Sequence, residues 1–272
     1  MRATWVGLGS RLMRLWRVGP ALLLLAALLP AQAGRSCEAR PPEADSVQRG
    51  LELAERTAQA LDASGATVVV LARAGQDLSR YELRFSHLGF AYRDGEGSPW
   101  RVLHKLNECG SATADLYRQG LGEFFLDDPH EYVAAYAVLT PEAQARLLPL
   151  LRDNTRARRL HVARYNMVAY PWSGRYQQSN QWAIETLAHA LSDDATTRQR
   201  AQAWLMLKGY RPTALRIAPL ERLGARLTAA NVAFDDHPDA KRYANRIETV
   251  TADSVLHWLE RAGLAGPAQL LH

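Results

Sequence analysis

Two histidines and one later serine are the residues whose types and order could do chemistry in this chain. His87 and His104 lie in two apolar, strand-like segments, and Ser179 comes much later, where a helical pattern begins. An imidazole can activate a hydroxyl nucleophile when a third group holds its tautomer. A helix start also favours a developing anion through its dipole and its free amide groups. The order of these residues predicts a nucleophilic hydrolase site with His87 as the base.

Ser179 has a second interpretation, because serine at a helix start commonly caps free amide groups without any catalytic role. In the catalytic interpretation, His104 would orient His87, and other polar residues would orient it or donate hydrogen bonds nearby. These residues are Asn107, Asn180 and Gln181. The side chains that could line a ligand groove beside the same segment are Trp172, Tyr176, Gln181 and Trp182. Aromatic residues more often belong to the core, and this alternative stays open.

A hairpin would bring the two histidines together. Strand candidates at 83–92 and 100–106 flank the turn-forming segment 94–99, which predicts an antiparallel pair. If the pairing is centred between residues 95 and 96, His87 and His104 lie opposite each other on one face.

The remaining segments predict an α+β fold with a central, mainly antiparallel sheet and flanking helices. Two more strands are expected at 67–71 and 132–139. The expected helices are 42–63, 113–125, 140–154, 179–191, 197–208 and 253–262. We expect residues 34–272 to form a single α+β domain whose C-terminal third, about 192–272, is mostly helical.

Residues 1–33 are typical of a secretory signal peptide. They combine an arginine-bearing start, an apolar run over 21–29 and a small-residue site that ends at Ala33. Nine unbroken apolar residues are fewer than the roughly 18 to 20 needed to cross a bilayer, which disfavours the alternative of an uncleaved anchor. We therefore expect a periplasmic or secreted protein with no transmembrane segment after leader removal.

The charge of the mature chain argues against nucleic acid as a partner. The chain has 33 Lys and Arg residues against 28 Asp and Glu, and removing the four arginines of the leader from the 33 leaves 29. Nucleic-acid binding needs a much more basic surface. The arginine-rich segment 152–164 is either a solvated face or a site for anionic glycans or phospholipid headgroups. The oligomeric state does not follow from the sequence.

Two acidic turns, 127–130 and 235–238, each combine carboxylates with an imidazole and could hold a divalent metal. Asp-Pro and His-Pro pairs form turns without a metal, so no metal and no other cofactor is predicted. In an oxidising compartment, Cys37 and Cys109 are expected to form a disulfide; two unpaired thiols are the alternative.

Almost the whole mature chain resembles an uncharacterised bacterial family, domain of unknown function 2145. The strings that carry this resemblance are SHLGFAYRD, WRVLHKLNECG, YRQGLGEFFLDDP, YQQSNQWAIETLA, NVAFDDHP and RIETVTADSV. The resemblance implies a family without implying a function.

A more distant similarity joins the chain to the permuted NlpC-type branch of papain-like peptidases and amidases. The segments that carry it are 77–78, 86–90, 100–104 and 165–166. The similarity implies a permuted papain-like fold, with His87 as the base, His104 near the third polar residue, and an amide of cell-wall peptide or a lipid ester as substrate. This chain departs from that branch because it has no cysteine after Cys109, and Ser179 and Asn180 stand at the matching helix start. Either a serine has replaced the cysteine, or the protein is a catalytically inactive periplasmic binding or interaction protein.

Overall fold

The computed structural model of the protein describes residues 43–127 and 129–272. The signal-peptide prediction, with Cys37, lies outside the described residues. The helices are α1 Ala44–Ala63, α2 Leu121–Leu126, α3 Pro141–Arg152, α4 Asn154–Ala157, α5 Ser179–Leu191, α6 Arg198–Leu207, α7 Pro219–Thr228, α8 Asp239–Tyr243 and α9 Ala252–Arg261. The strands are β1 Val68–Arg73, β2 His87–Tyr92, β3 Arg101–Asn107, β4 Ala114–Gly120, β5 Ala134–Val138, β6 Thr213–Arg216, β7 Arg246–Thr249 and β8 Gln269–Leu271.

The main sheet has six strands in the order β4-β3-β2-β1-β5-β8, and every neighbouring pair in it is antiparallel. Strands β6 and β7 form a separate antiparallel pair. The prediction of an α+β fold with a mainly antiparallel sheet and flanking helices is confirmed. The papain-like permutation of that fold stays a prediction.

Alternate side chains of the central strands point to opposite faces of the main sheet. Both faces carry apolar side chains, and helices cover both of them. On one face, Val70 and Phe90 pack in a cluster that contains Trp182 of α5 and residues of α3, α6 and α9. On the other face, Val69 and Leu71 pack against α1 and α2. The two clusters are separate cores, and each is large enough to hold its own layer of helices in place.

Residues 113–125 do not form the predicted helix. Residues Ala114–Gly120 are strand β4, which pairs with β3 along its whole length from Asn107↔Ala114 to Arg101↔Gly120. Only the short helix α2 follows. The ladder of backbone hydrogen bonds to β3 outweighs the local sequence preference, which is weak for seven residues of mixed type.

The C-terminal third contains three strands that the sequence analysis missed: β6, β7 and β8. The last of them pairs with β5 and forms one edge of the main sheet. Within the described residues, no helix is both long and apolar enough to cross a membrane.

Candidate functional site

The first candidate site is formed by β1, β2 and β3 on the face that α1 and α2 cover. Within the β1–β2 pair, Arg73 lies directly opposite His87. Within the β2–β3 pair, Phe90 lies opposite Leu103, so Gly89 faces His104 one step further along the ladder. His104 is therefore a diagonal neighbour of His87, two residues from the direct pairing that the sequence predicted. Both rings remain on one face, because a register difference of two residues preserves the direction of every side chain.

Gly89 makes the close approach of the two strands possible at this point. A Cβ atom at position 89 would lie 2.8 Å from His104 Cβ and 3.0 Å from Leu103 O. Real Cβ atoms do not approach other atoms so closely. Glycine is required here to leave room for the His104 side chain.

A chain of hydrogen bonds links the two imidazoles to an amide. His87 Nε2 lies 2.8 Å from His104 Nδ1, and His104 Nε2 lies 2.8 Å from Gln119 Oε1 of β4. An amide oxygen only accepts hydrogen bonds, so His104 Nε2 is the donor in the second bond. In a neutral His104 ring, Nδ1 then carries the lone pair, and His87 Nε2 donates to it. Gln119 thus holds the tautomer of His104, and His104 orients His87.

His104 is neutral at pH 7. Its side chain is 0% exposed, and burial lowers the pKa of His104 from 6.5 to about 4, with a further lowering by the nearby charge of Arg73. Desolvation disfavours the charged form of an imidazole, and a neighbouring cation disfavours it again. His87 differs from His104 in being only partly buried, so the two rings meet solvent to different extents.

Phe124 of α2 and Arg73 of β1 surround the two rings. The Phe124 ring centroid lies 5.2 Å from that of His104 and 6.0 Å from that of His87. The Arg73 guanidinium lies 4.8 Å from the Phe124 ring centroid, and it donates hydrogen bonds to Phe124 O and to the Asp127 carboxylate. The imidazole pair therefore has an aromatic ring and a partly buried ion pair beside it.

The second candidate site, the start of α5, lies against the other face of the sheet. Leu88 belongs to the core cluster that contains Trp182, whereas His87 projects from the opposite face towards Phe124. Burial raises the pKa of Tyr165, and the neighbouring Ser179 hydroxyl lowers it in part. The structure thus brings His87 and His104 together and leaves Ser179 on the far side of β2.

Asn180 connects the start of α5 to strand β2. Its Oδ1 accepts a hydrogen bond from Leu88 N at 3.0 Å, and its Nδ2 donates to Val250 O at 3.3 Å. Gln178, the residue before the helix, donates to Thr249 Oγ1 at 2.8 Å and to Val250 O at 2.6 Å. These buried amides attach the start of α5 to β2 and to the end of β7 by hydrogen bonds.

The other predicted site residues fall outside the imidazole pair. Asn107 projects from the opposite face of β3 to His104, and its Nδ2 donates to the adjacent Glu108 O at 3.3 Å. Gln181 Nε2 donates to Pro171 O at 3.1 Å and is buried. Both side chains donate hydrogen bonds to backbone carbonyl groups outside the imidazole pair.

The predicted aromatic groove is corrected at Trp182. That ring is fully buried and packs edge-on against Phe90, with centroids 6.0 Å apart, so it belongs to the core. Trp172 is partly buried and packs against Tyr210. The Tyr176 hydroxyl donates to Asp235 at 3.4 Å. Because Trp182 is fully buried, it does not line a surface with Trp172 and Tyr176.

A model of an uncharacterised protein family conserved in bacteria, domain of unknown function 2145, matches residues 60–259 of the chain. The chain belongs to this family. No curated protein and no solved structure matches the chain. The family match covers both candidate sites, since His87, His104 and the start of α5 all lie inside it.

A buried charge network that no sequence pattern predicted lies on the α5 side of the sheet. Lys105 Nζ donates to Gln177 Oε1 at 2.9 Å, and Gln177 Nε2 donates to Glu185 Oε2 at 2.6 Å. Arg198 binds both oxygens of Glu185, at 2.7 and 3.1 Å. Burial, followed by the charge of Arg198, lowers the pKa of Lys105 to about 7. The sequence signal for this network is the presence of charged residues inside otherwise apolar segments. That signal does not identify their partners, which lie in distant elements.

The two acidic turns have structural partners. Asp236 accepts from Tyr170 N at 2.8 Å and lies 3.1 Å from His237 Nδ1, and His237 Nε2 lies 3.0 Å from Glu248 O. In the other turn, Asp127 pairs with Arg73. Across residues 43–127 and 129–272, no group of three His, Cys, Asp or Glu side chains could hold a metal ion.

Proposed function

We propose that this chain is an exported, hydrolase-like protein in which His87 is a general base that acts on an amide or ester bond. The single observation that supports this role is the hydrogen-bond chain from His87 through His104 to Gln119. The signal-peptide pattern of residues 1–33 supports export.

The chain of hydrogen bonds prepares His87 for proton transfer. Because His87 donates through Nε2 to a neutral His104, a neutral His87 carries its lone pair on Nδ1. General bases are commonly imidazoles that a second group holds in one tautomer and one orientation. His104 is enclosed and uncharged, so it serves as a fixed acceptor and does not compete for the transferred proton.

The nucleophile in this proposal is water. Ser179 is buried and lies against the opposite face of the sheet from the His87 ring. In the reaction, His87 takes a proton from water as the oxygen attacks the carbonyl carbon. The same proton then passes to the leaving amine or alcohol as its bond to carbon breaks. Cell-wall peptides and lipid esters supply carbonyl groups of this kind to an exported protein.

A second candidate function is a non-catalytic binding or interaction protein of the periplasm. One observation favours it: the polar side chains at the start of α5 are used to hold the helix in place. A family that keeps the scaffold of a hydrolase without a working nucleophile would use these residues in this way.

Hydrolysis assays on two substrate classes, cell-wall peptide amides and p-nitrophenyl acyl esters, test the proposal. We expect His87→Ala to lower kcat/KM for the accepted class by at least about 100-fold, which is the usual contribution of a general base. His257→Ala is the matched control, because His257 is exposed and distant in sequence from both strands. Activity that survives in His87→Ala would contradict the proposal, and turnover of neither class would favour the second candidate.

Labelling with a fluorophosphonate probe distinguishes water from serine as the nucleophile. We expect no labelling of Ser179, because the residue is 5% exposed and lies on the opposite side of β2 from the His87 ring. Labelling that disappears in both Ser179→Ala and His87→Ala would instead support a serine hydrolase.

A further inference from the structure

Helix α7 directs its large apolar side chains away from the rest of the protein. Leu220, Leu223 and Leu227 are 81%, 54% and 78% exposed, and no residue of the helix is buried. A helix has about 3.6 residues per turn, so positions separated by three, four and seven residues share one face. We call the exposed face formed by Leu220, Leu223 and Leu227 the leucine ridge.

The opposite face of α7 attaches the helix to the protein through small and polar contacts. Ala225 packs against the small apolar cluster around Leu215 and Ile217. Arg222 Nη1 donates to Ile217 O at 2.7 Å and to Asn245 Oδ1 at 3.0 Å. A surface helix normally buries its leucines and exposes its small and charged residues. The reversed arrangement in α7 indicates that the leucine ridge faces a partner.

The segment that contains the leucine ridge is positively charged. Segment 208–228 contains one acidic residue, Glu221, and five basic residues, which are Lys208, Arg211, Arg216, Arg222 and Arg226. Arg226 follows Leu223 by three residues and so borders the ridge. Arg216 lies directly opposite Arg246 in the β6–β7 pair, and like charges in that position repel each other.

The ion pairs around α7 leave Arg216 and Arg226 available. Within the described residues, Glu221 pairs with Arg80, and Glu248 pairs with Arg246 at 2.9 Å. Arg216 and Arg226 are exposed and take part in neither pair. An anionic surface would neutralise both of them and would relieve the repulsion between Arg216 and Arg246.

We propose that the leucine ridge, with Arg216 and Arg226, binds the surface of an anionic phospholipid bilayer. An amphipathic helix with leucines on one side and arginines at its border lies in the plane of a membrane, with its apolar side among the acyl chains. Anionic headgroups attract the arginines at the same time. An exported protein meets such surfaces, and the proposal does not depend on any activity of His87.

Vesicle co-sedimentation of the protein in its natural processed form tests this proposal. We expect binding to vesicles that contain phosphatidylglycerol, weak binding to pure phosphatidylcholine vesicles, and a loss of affinity as salt is raised. The variant that replaces Leu220, Leu223 and Leu227 by serine should bind at least about tenfold more weakly, because the apolar contribution is removed. None of the three leucines is buried, so this variant should fold, and circular dichroism checks that it does.

Matched controls separate the ridge from a general surface effect. Leu51→Ser with Leu207→Ser removes leucines that are 48% and 83% exposed elsewhere, and it should leave vesicle binding unchanged. Arg216→Gln with Arg226→Gln should reduce both the affinity and its salt dependence. Arg156→Gln with Arg159→Gln, in the arginine-rich segment 152–164, should do neither.

Several results would overturn the proposal. One is wild-type protein that does not bind anionic vesicles, and another is equal loss of binding in the control variants. A third is a sedimentation coefficient that falls from dimer to monomer in the triple serine variant, with no vesicle binding by the wild type. That result would make the leucine ridge an interface between two copies of the chain.

Discussion

At the scale of single residues, the two histidines of the first site differ because their environments differ. His104 is enclosed by Phe124 and bound to Gln119, and burial lowers its pKa to about 4. His87 is partly exposed and donates to His104. In the proposed function, this difference in burial gives His104 the role of orienter and His87 the role of base.

The titration of His104 predicts a pH dependence of stability. Its pKa is about 4 in the folded chain and 6.5 ordinarily, so between these values the unfolded chain binds the proton and the folded chain does not. Stability should therefore fall as pH falls from 6.5 to 4. We expect His104→Gln to remove roughly 3 kcal/mol of this loss at most, since one pKa unit corresponds to about 1.4 kcal/mol.

Urea unfolding across that pH range measures the effect, with His257→Gln as the exposed control. His161, whose pKa is also lowered to about 4 by burial, keeps part of the slope in every variant. A His104→Gln protein with the full slope of the wild type would contradict the prediction.

We expect replacement of the buried Glu185 carboxylate to lower the stability of the protein by a large amount. It is 0% exposed and accepts hydrogen bonds from Arg198 at 2.7 and 3.1 Å and from Gln202 at 2.7 Å. Replacing it with Ala leaves the Arg198 charge uncompensated in the interior, which costs about 3 to 5 kcal/mol. Chemical denaturation measures the change in the free energy of unfolding.

Asp193→Ala is the control for Glu185→Ala, because it breaks an exposed pair. Asp193 is 95% exposed and lies 2.5 Å from Arg146. Surface ion pairs contribute about 0 to 1 kcal/mol, so its loss should be small. Equal effects of the two substitutions would show that Glu185 is not an essential part of the buried network.

At the scale of elements, the strand β2 joins the two candidate sites. The His87 side chain points to the α2 side, while Leu88 and Phe90 pack under α5. Asn180 binds the backbone of the same strand. A change in the position of β2 would therefore move the imidazole pair and the start of α5 together.

Gly89→Ala tests how closely β2 and β3 must approach. Its Cβ would meet His104 Cβ at 2.8 Å and Leu103 O at 3.0 Å, and neither atom can move away without shifting the backbone. We expect a loss of about 1 to 3 kcal/mol in the free energy of unfolding. The His104 ring should also move, which NMR of the imidazole protons would detect.

Gly122→Ala is the control for Gly89→Ala. The nearest atom to a Cβ at position 122 is Leu51 Cδ2 at 3.4 Å, and the residue lies inside helix α2. Alanine favours a helix over glycine by up to about 1 kcal/mol, so this substitution should be neutral or stabilising. If Gly89→Ala were equally well tolerated, the close approach of the strands would not require glycine.

At the scale of the whole molecule, one antiparallel sheet has a layer of helices on each face. Strands β6 and β7 form a separate pair, and α7 follows β6 in the chain. The last strand, β8, returns to the edge of the main sheet. The C-terminal segment thus contributes to the same sheet as the residues of the first site. Long-range pairing of this kind ties the end of the chain to its middle.

The expected export and the expected Cys37–Cys109 disulfide can each be tested by a measurement on the mature protein. Mass spectrometry of the exported chain should find an N-terminus at Gly34, after cleavage that follows Ala33. Reduction should lower the melting temperature, because a Cys37–Cys109 bridge over so long a loop would stabilise by about 4 kcal/mol in the chain-entropy model. Cys37→Ser should remove the effect of the reductant, and an unchanged melting temperature on reduction would contradict the disulfide.

The sequence predicted strands β1, β2, β3 and β5 and helices α1, α3, α5, α6 and α9, because their apolar periodicity and their caps are local features. Thr140 and Thr197, for example, cap α3 and α6 through their side chains as their positions suggest. The predicted helix over 113–125 was wrong, because strand β4 is stabilised by its pairing with β3. Strands β6, β7 and β8 were missed for the same reason, since short strands depend on distant partners.

The sequence by itself determined that positions 87 and 104 share a face, since alternation along two paired strands survives a register difference of two residues. It also determined the family, through long matching strings. Only the tertiary structure decided which face α5 covers. Trp182 packs on Phe90, so the helix lies on the apolar side of β2 and the His87 ring lies on the other. That choice depends on how large side chains from distant segments fill one core, which no local pattern encodes.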